Sequence, residues 1–267
     1  MKAVKRLHGF LCSHPFFLFS TLLFIAFSFY FLRPGLVGAD GYGYMVEICE
    51  KTDIIKEFNA FNFVVEWFPC SFLAAKSVLF FLSLVSGYFI IKIATLFSPN
   101  NGWRASYLVF ASPLFLLEAV KFENDQFAYP IMFASLYLFF KGRRFLALAL
   151  LVFAGMFWQG AIYYLIGFGL QWLALGLIEL ALFSIPKTPF TWTTILGNII
   201  RTKTIMEDAS FTALKYWFIL TVGIIGIFRE KKILPMAAFT IIIGVASLKL
   251  APLALPFLVI GMVKLLE

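Results

Sequence analysis

An acidic residue with glycine and tyrosine neighbours follows the first apolar run of this chain. Asp40 stands in Ala39-Asp40-Gly41-Tyr42-Gly43-Tyr44, eight residues after that run ends at Leu32. The two glycines permit a tight turn, and the rings of Tyr42 and Tyr44 could hold a ring-shaped polar ligand against the carboxylate. A carboxylate placed in this way is suited to general-base chemistry. The alternative is that Asp40 only caps a helix that begins near Tyr42.

Three later segments carry further polar side chains at the ends of apolar runs. Their candidate residues are Glu123, Asp125 and Gln126 in one turn, Arg201, Glu207 and Asp208 in a loop, and Lys249 before a proline-containing hairpin. Carboxylates can deprotonate an acceptor hydroxyl, and Arg or Lys can stabilise charge on a leaving phosphate. The set therefore suits group transfer from a lipid-linked phosphate.

Each of these residues also has a structural interpretation. Glu123 and Asp125 could simply mark a solvated turn, and Glu207 and Asp208 could be first-turn acids of the following helix. Arg201 could anchor to lipid phosphates, and Lys249 could extend its ammonium to water at the membrane edge. Glu118 differs because it lies inside an apolar run, where an idle carboxylate is costly. We expect Glu118 to face the same cavity as the Asp125 turn, about two helical turns away.

The composition indicates that the apolar runs between these residues are membrane helices. The chain has 267 residues, of which 62% are hydrophobic and 13% charged, and this is outside the soluble globular range. We predict a single all-α integral membrane domain over residues 1–267, with about 9–10 membrane helices, some of them short. The clear apolar runs are Pro15–Leu32, Ser77–Phe97, Ala105–Val120, Phe127–Phe140, Phe211–Phe228, Ile233–Ser247 and Pro252–Val263.

Two regions are ambiguous in the sequence. The stretch Phe145–Ile185 holds either two spans, broken near Trp158-Gln159-Gly160, or three short ones. Residues between Ile55 and Phe68 have the spacing of an amphipathic helix, which is either interfacial or packed in the ordinary way. Cys49 and Cys70 both lie in the stretch from Arg33 to Lys76, which follows the first apolar run and is predicted to be external, and they are either bridged or free buried thiols.

Basic residues set the predicted orientation. Lys2, Lys5 and Arg6 precede the first span, and Lys141-Gly142-Arg143-Arg144 follows another, so we predict that the N-terminus and these turns are cytosolic. The net charge of +8 then reflects membrane orientation and not nucleic-acid binding. The acidic turns fall on the non-cytosolic face, either of the cell membrane or, in a eukaryote, of the endoplasmic reticulum.

The motifs above resemble those of the polytopic C-type (GT-C) glycosyltransferases, which use polyprenyl- or dolichyl-phosphate-linked sugars. The likeness lies in Asp40 with its tyrosines, in the run from Phe122 to Gln126, in Trp158-Gln159-Gly160 with Arg201 and Glu207-Asp208, and in the segment from Lys249 to Pro256. It extends over roughly residues 15 to 260. Each motif is short.

The resemblance implies an inverting, metal-independent hexosyl transfer on the non-cytosolic face. Asp40 would be the base, and Arg201 and Lys249 would bind the donor phosphate. The residues that would position sugar or acceptor are Tyr42, Tyr44, Glu123, Asp125, Gln126, Gln159, Glu207 and Asp208. No second acid stands two places after Asp40, so no metal is expected, nor any other cofactor. The partners would be the lipid-linked donor, a glycan, lipid or protein acceptor, membrane lipids and, if required, another subunit.

A different class of function is compatible with the same sequence. A non-catalytic polytopic membrane protein, either a transporter or flippase of lipid-linked sugar or an assembly subunit, would also combine apolar spans with polar turns. Transporters commonly contain inverted repeats and broken helices at mid-membrane. The sequence has no convincing internal repeat, which favours the enzyme over a transporter.

Overall fold

The described part of the chain is built from helices. A computed structural model describes residues 9–10, 13–36, 39–50, 60–171, 222–246 and 248–267. Within these ranges there is no β-strand. The prediction of an all-α fold is therefore confirmed for this part of the molecule.

Eleven of the described helices position the polar groups. In chain order they are α1 (Pro15–Leu32), α2 (Ala39–Glu50), α3 (Ala60–Glu66), α4 (Phe72–Phe97), α5 (Gly102–Ala111), α6 (Pro113–Ala119), α7 (Asn124–Phe140), α8 (Arg144–Phe157), α9 (Ile162–Gln171), α10 (Leu234–Ala246) and α11 (Leu255–Leu265). Short 3-10 segments, Gln159–Ala161 and Leu248–Ala254, precede α9 and α11.

Two of these helices are long and apolar enough to cross a membrane, judged by length and composition alone. They are α1, with 18 residues, and α4, with 26. Shorter apolar helices include α8, α10 and α11. The structure gives α1 the bounds predicted from the sequence, and it begins α4 at Phe72, where Ser71 accepts a hydrogen bond from the Ala74 amide as an N-cap.

Basic turns gather at one end of the bundle, which we call the basic pole. Its cations in the described turns are Lys141, Arg143, Arg144, Arg229, Lys231 and Lys232. The C-terminal ends of α4 and α7 meet there through Phe97 and Phe140, whose ring centroids are 5.1 Å apart. Arg229 Nη1 donates to the Lys264 carbonyl at 2.9 Å, which brings the end of α11 to the same pole.

The opposite end, which we call the disulfide pole, carries the Cys49–Cys70 bridge and the turn of residues 120–124. The two cysteine Cα atoms are 4.9 Å apart, so of the two alternatives in the sequence the bridged one is correct. The end of α1 is fixed here by Lys76, whose Nζ donates to the Tyr30 carbonyl at 3.1 Å and lies 4.9 Å from the Tyr30 ring centroid. The Tyr30 hydroxyl in turn donates to the Val120 carbonyl at 3.0 Å. These bonds hold the 120–124 turn against the first helix.

Many aromatic rings in the interior pack edge to face. Phe27 contacts Phe80, and Phe61 contacts Phe127, with centroids 5.3 and 5.2 Å apart. Such pairs contribute about 0.5–1.5 kcal/mol each beyond the burial of their area. Part of the large phenylalanine content, 35 residues, therefore serves the packing of these helices against one another.

Several boundaries differ from those expected. The run Ala105–Val120 is not one helix, because Pro113 lacks a backbone donor and the chain breaks at Ser112 into α5 and α6. Helix α2 begins at Ala39, so Asp40 lies in its first turn and does not cap a helix starting near Tyr42. The expected break at Gln159 is confirmed, and α9 follows it.

Two sequence questions fall partly outside the described residues. Residues 172–221 are among these, so the choice between two and three passages in Phe145–Ile185 stays open. The proposed amphipathic stretch is described only from residue 60, where α3 buries Phe61 and Val65.

Glycine allows a very close helix crossing near the basic pole. Residues 222–227 are helical and cross α11 at Gly223, Gly226 and Gly261. A Cβ atom at Gly261 would lie 1.9 Å from the Gly223 carbonyl oxygen, and one at Gly226 would lie 1.7 Å from the Gly261 carbonyl oxygen. Any side chain at these positions must therefore push the two backbones apart.

The close crossing predicts that two Gly→Ala substitutions differ strongly in their effect on the stability of the protein. Gly261→Ala should lower the free energy of unfolding by about 1–3 kcal/mol, the usual cost of overpacking. Gly43→Ala is the matched control, because its Cβ meets nothing within 4 Å and alanine is favoured in a helix. Thermal unfolding of the purified protein in detergent measures both. Equal midpoints for the two variants would contradict the crossing.

Candidate functional site

The core of the site is an ion pair at the end of α6. Glu118 is only 7% exposed, and its Oε1 lies 2.6 Å from Lys121 Nζ. Its other oxygen, Oε2, accepts from Gln126 Nε2 at 3.3 Å. The spacing of three residues brings acid and base together as the helix ends, since residues i and i+3 lie on one face. The expected common location of Glu118 and the Asp125 turn is confirmed.

The acids of the 120–124 turn and of α7 have different surroundings. Asp125 is 1% exposed, and its Oδ2 accepts a hydrogen bond of 3.4 Å from the Tyr129 hydroxyl one helical turn later. It lies in the first turn of α7, where the helix dipole favours an anion. Glu123 is the half-buried N-cap residue of that helix. The interpretation of Asp125 as part of a solvated loop is therefore wrong.

The charge of Lys121 is supported by these neighbours. Burial works to lower the pKa of the Lys121 ammonium, but the Glu118 carboxylate and the two acids that follow outweigh burial and raise that pKa above its ordinary value. A raised pKa means that the pairing stabilises the folded state below the ordinary lysine pKa, over the pH range in which the carboxylates are ionised. This stabilisation is lost as the pH rises through the folded-state pKa.

Helix α2 brings the backbone of Asp40 to the same turn. A Cβ atom at the next residue, Gly41, would lie 3.4 Å from both the Cβ and the carbonyl oxygen of Phe122. Phe122 is fully buried and also contacts Phe61 and Phe68, with centroids 6.2 and 5.5 Å away. A separation of 3.4 Å is an ordinary van der Waals contact, so the backbone of α2 packs directly against the turn. The backbone of the segment that contains Asp40 thus lies next to the turn that contains Glu123.

The two tyrosines of α2 occupy different faces. Tyr44 is one helical turn after Asp40 and therefore on its side of the helix, and its ring packs on Phe61 at 4.8 Å. Tyr42 lies on roughly the opposite side, with its ring 5.8 Å from that of Phe72. Gly35, at φ 72°, leaves the space that the Tyr42 hydroxyl occupies. Tyr44 is therefore the tyrosine on the same side of α2 as Asp40.

A cavity of about 20 Å³ lies behind the ion pair. Its lining includes Ser83 and Ser86 from α4, Glu118, Gln126 and Tyr129 beside the turn, and Pro252 and Leu255 from the last hairpin. This volume admits about one water molecule. The cavity connects the acidic turn to the 3-10 segment Leu248–Ala254, which contains Lys249 and is held by a 2.8 Å bond from the Tyr164 hydroxyl to the Leu253 carbonyl.

The remaining predicted site residues are placed only in part. Lys249 lies in that 3-10 segment and Gln159 begins the segment Gln159–Ala161, but the described structure gives only their backbone positions. Arg201, Glu207 and Asp208 lie outside the described residues. The structure therefore groups Glu123, Asp125 and Gln126 around one turn, places the α2 backbone at Asp40 beside that turn, and leaves the other predictions as they were.

Sequence reasoning missed two members of the site. It assigned no role to Lys121, although an acid and a base three residues apart at the end of an apolar run are the signal of a paired buried charge. It gave Phe122 no role of its own, because one phenylalanine out of 35 does not stand out. Its importance follows from its contacts with α2 and α3.

The ion pair predicts energetic coupling between Glu118 and Lys121. Glu118→Gln and Lys121→Met should each lower the free energy of unfolding by about 1–3 kcal/mol, because each leaves a poorly compensated polar group. The double variant should lose less than the sum, with a coupling of about 0.5–3 kcal/mol. Denaturant or thermal unfolding of the four proteins in detergent measures this cycle.

A control and a pH series complete the test. Lys141→Met at the basic pole, combined with Glu118→Gln, should give additive effects. Above a pH of about 10.4, the ordinary lysine pKa, the unmodified protein should lose stability as Lys121 loses its charge. Lys121→Met lacks this contribution at every pH, so its stability should not fall for this reason. Additivity in the Glu118 and Lys121 cycle would show that the pair does not contribute.

Comparison with protein-family models, with curated proteins and with solved structures gives no match for this chain. The site consists of the α2 backbone at Asp40, the Glu118–Lys121 ion pair, the buried Asp125 and a small cavity whose lining includes polar side chains, all at one pole of an apolar bundle.

Proposed function

We propose that this chain is an integral-membrane glycosyltransferase that moves a sugar from polyprenyl phosphate to an acceptor, with inversion and without a metal. The supporting observation is the close approach of Gly41 to Phe122, which places the start of α2 beside the acidic 120–124 turn. Two acidic motifs more than eighty residues apart in sequence thereby share one pole. This is the arrangement that a base and a substrate-positioning group require.

The proposal places the disulfide pole on the non-cytosolic face and the N-terminus in the cytosol. The described basic turns lie together at the other pole, as the positive-inside rule expects of cytosolic loops. The Cys49–Cys70 bridge supports the same orientation, because disulfides persist in oxidising compartments. The shorter apolar helices, with α1 and α4, would form the polytopic bundle in the bilayer.

In the proposed mechanism the Asp40 carboxylate takes the proton of the acceptor hydroxyl. The acceptor oxygen attacks the anomeric carbon from the side opposite the phosphate, and the carbon–oxygen bond to the phosphate breaks with its electron pair. Arg201 and Lys249 would bind the departing phosphate and stabilise its charge. Tyr44, Asp125 and Gln126 would hold sugar or acceptor near the base.

The small size of the cavity behind the Glu118–Lys121 pair favours a second candidate function. At about 20 Å³ it holds water but no hexose, so a sugar would have to bind above the 120–124 turn. A non-catalytic assembly subunit needs no larger cavity, and Glu118 and Lys121 would then serve only to stabilise the fold. Transfer by the purified chain alone separates this candidate from the enzyme.

The proposal predicts that Asp40→Asn abolishes most transfer from a radiolabelled polyprenyl-phosphate sugar. Loss of a general base should reduce the rate by a factor of about 10² to 10⁴ without lowering the unfolding midpoint. Glu50→Gln is the matched control, because Glu50 is an exposed acid on the same helix. Its activity should remain within about twofold of the unmodified protein, since it touches no part of the site.

Two results would count against the enzyme. Undiminished transfer by Asp40→Asn removes this residue from the mechanism. No transfer by the unmodified protein, over a panel of polyprenyl- and dolichyl-phosphate sugars, favours the assembly subunit.

A further inference from the structure

A second cavity lies at the basic pole, on the outer surface between α1 and α4. It has a volume of about 380 Å³, which is within the range of roughly 300–1,000 Å³ for small-molecule sites. Its walls include Phe16 and Phe17 near the start of α1 and Tyr88 and Ile91 of α4. The start of α1 lies beside the end of α4 here, because a Cβ atom at Gly102 would meet both Pro15 and Thr95. The Ser106 hydroxyl also donates to the Pro15 carbonyl.

The groove combines this apolar wall with positive charge. Lys92 lines it, is exposed, and lies with Nζ 5.5 Å from the Tyr88 ring centroid. His14 lies at its rim. Among the described residues that line the groove there is no carboxylate, so nothing there neutralises Lys92. An anion is the ligand that these side chains complement.

The depth of Lys92 distinguishes it from other cations of the basic pole. It lies five residues before the end of α4, about 7.5 Å along the helix at 1.5 Å per residue. If α4 crosses a bilayer, this is the level at which headgroups meet acyl chains. A free phosphate would use only the charge, whereas a phospholipid uses the charge and the apolar wall together.

We propose that this groove binds one anionic glycerophospholipid, with its phosphate at Lys92 and an acyl chain along the aromatic wall. The inference rests on the proposed membrane placement of α1 and α4 and is independent of sugar transfer, which is assigned to the other pole. Bound lipid would tie the first and second long helices together where they enter the basic pole.

Lys141 offers a closely matched control. It is also exposed at the basic pole, and its Nζ also lies close to a tyrosine ring four residues earlier, 5.7 Å from the centroid of Tyr137. It follows the end of α7 and does not line the groove. The two lysines therefore have the same charge and the same tyrosine neighbour four residues earlier, but only Lys92 lines the groove.

The test is a titration of the whole chain, purified in neutral detergent, with either phosphatidylglycerol or phosphatidylcholine. Native mass spectrometry counts the lipid molecules that are bound. The unmodified protein should retain one phosphatidylglycerol more tightly than phosphatidylcholine. Lys92→Gln should weaken phosphatidylglycerol binding about fivefold, the effect of one cation near an anionic headgroup, and Lys141→Gln less than twofold. Unchanged unfolding midpoints without lipid establish that both variants are folded.

A second variant tests the groove with its charge intact. Ser20→Trp introduces a large ring into the lining and leaves Lys92 in place, so phosphatidylglycerol binding should again fall. Equal weakening by Lys92→Gln and Lys141→Gln would overturn the proposal in favour of unspecific attraction to a basic surface. Equal binding of both lipids, or full binding by Ser20→Trp, would overturn it as well.

Discussion

Charge that is removed from water must be compensated nearby, and this constraint organises the disulfide pole. Glu118 lies at the end of an apolar helix and is almost fully buried, yet Lys121 and Gln126 each reach one of its oxygens. An unpaired carboxylate at this position would cost several kcal/mol or be protonated. The pair fixes the conformation of the chain as α6 ends, and α7 starts with its own buried acid four residues after Lys121. The polar groups of the site are thus held by the same bonds that stabilise the turn.

Packing then determines what can approach that turn. Phe122 packs against Phe61 of α3, and the start of α2 at Gly41 lies against the Phe122 backbone. The disulfide joins the end of α2 to the start of α4, so α2 is attached to the bundle at both of its ends. A general base needs such a rigid position because small displacements of the reacting groups cost much of the rate. The proposed activity depends on this attachment as much as on the carboxylate.

The sequence predicted the elements that are governed by long apolar runs and strong local signals. The bounds of α1, the break at Gln159 and the location of Glu118 beside the turn that ends at Gln126 follow from hydropathy, glycine and the cost of buried charge. It failed where local chemistry acts against the pattern: Pro113 divides an apolar run, and α2 begins before Asp40. It had no means of detecting Phe122, because contacts between distant segments leave no local signal. The roles of Arg201, Glu207, Asp208 and Lys249 remain predictions from their resemblance to a family motif.

The contact between α2 and the 120–124 turn is the claim on which the account of the site depends, and cysteine crosslinking measures it directly. In a Cys12→Ser background, cysteines at positions 41 and 122 should form a disulfide under mild oxidation, because their Cβ atoms would be 3.4 Å apart, close to the usual disulfide separation. Cysteines at 43 and 122 should remain reduced, since nothing lies within 4 Å of a Cβ at Gly43. Equal crosslinking of both pairs, or none at 41 and 122 in a folded protein, would contradict this arrangement.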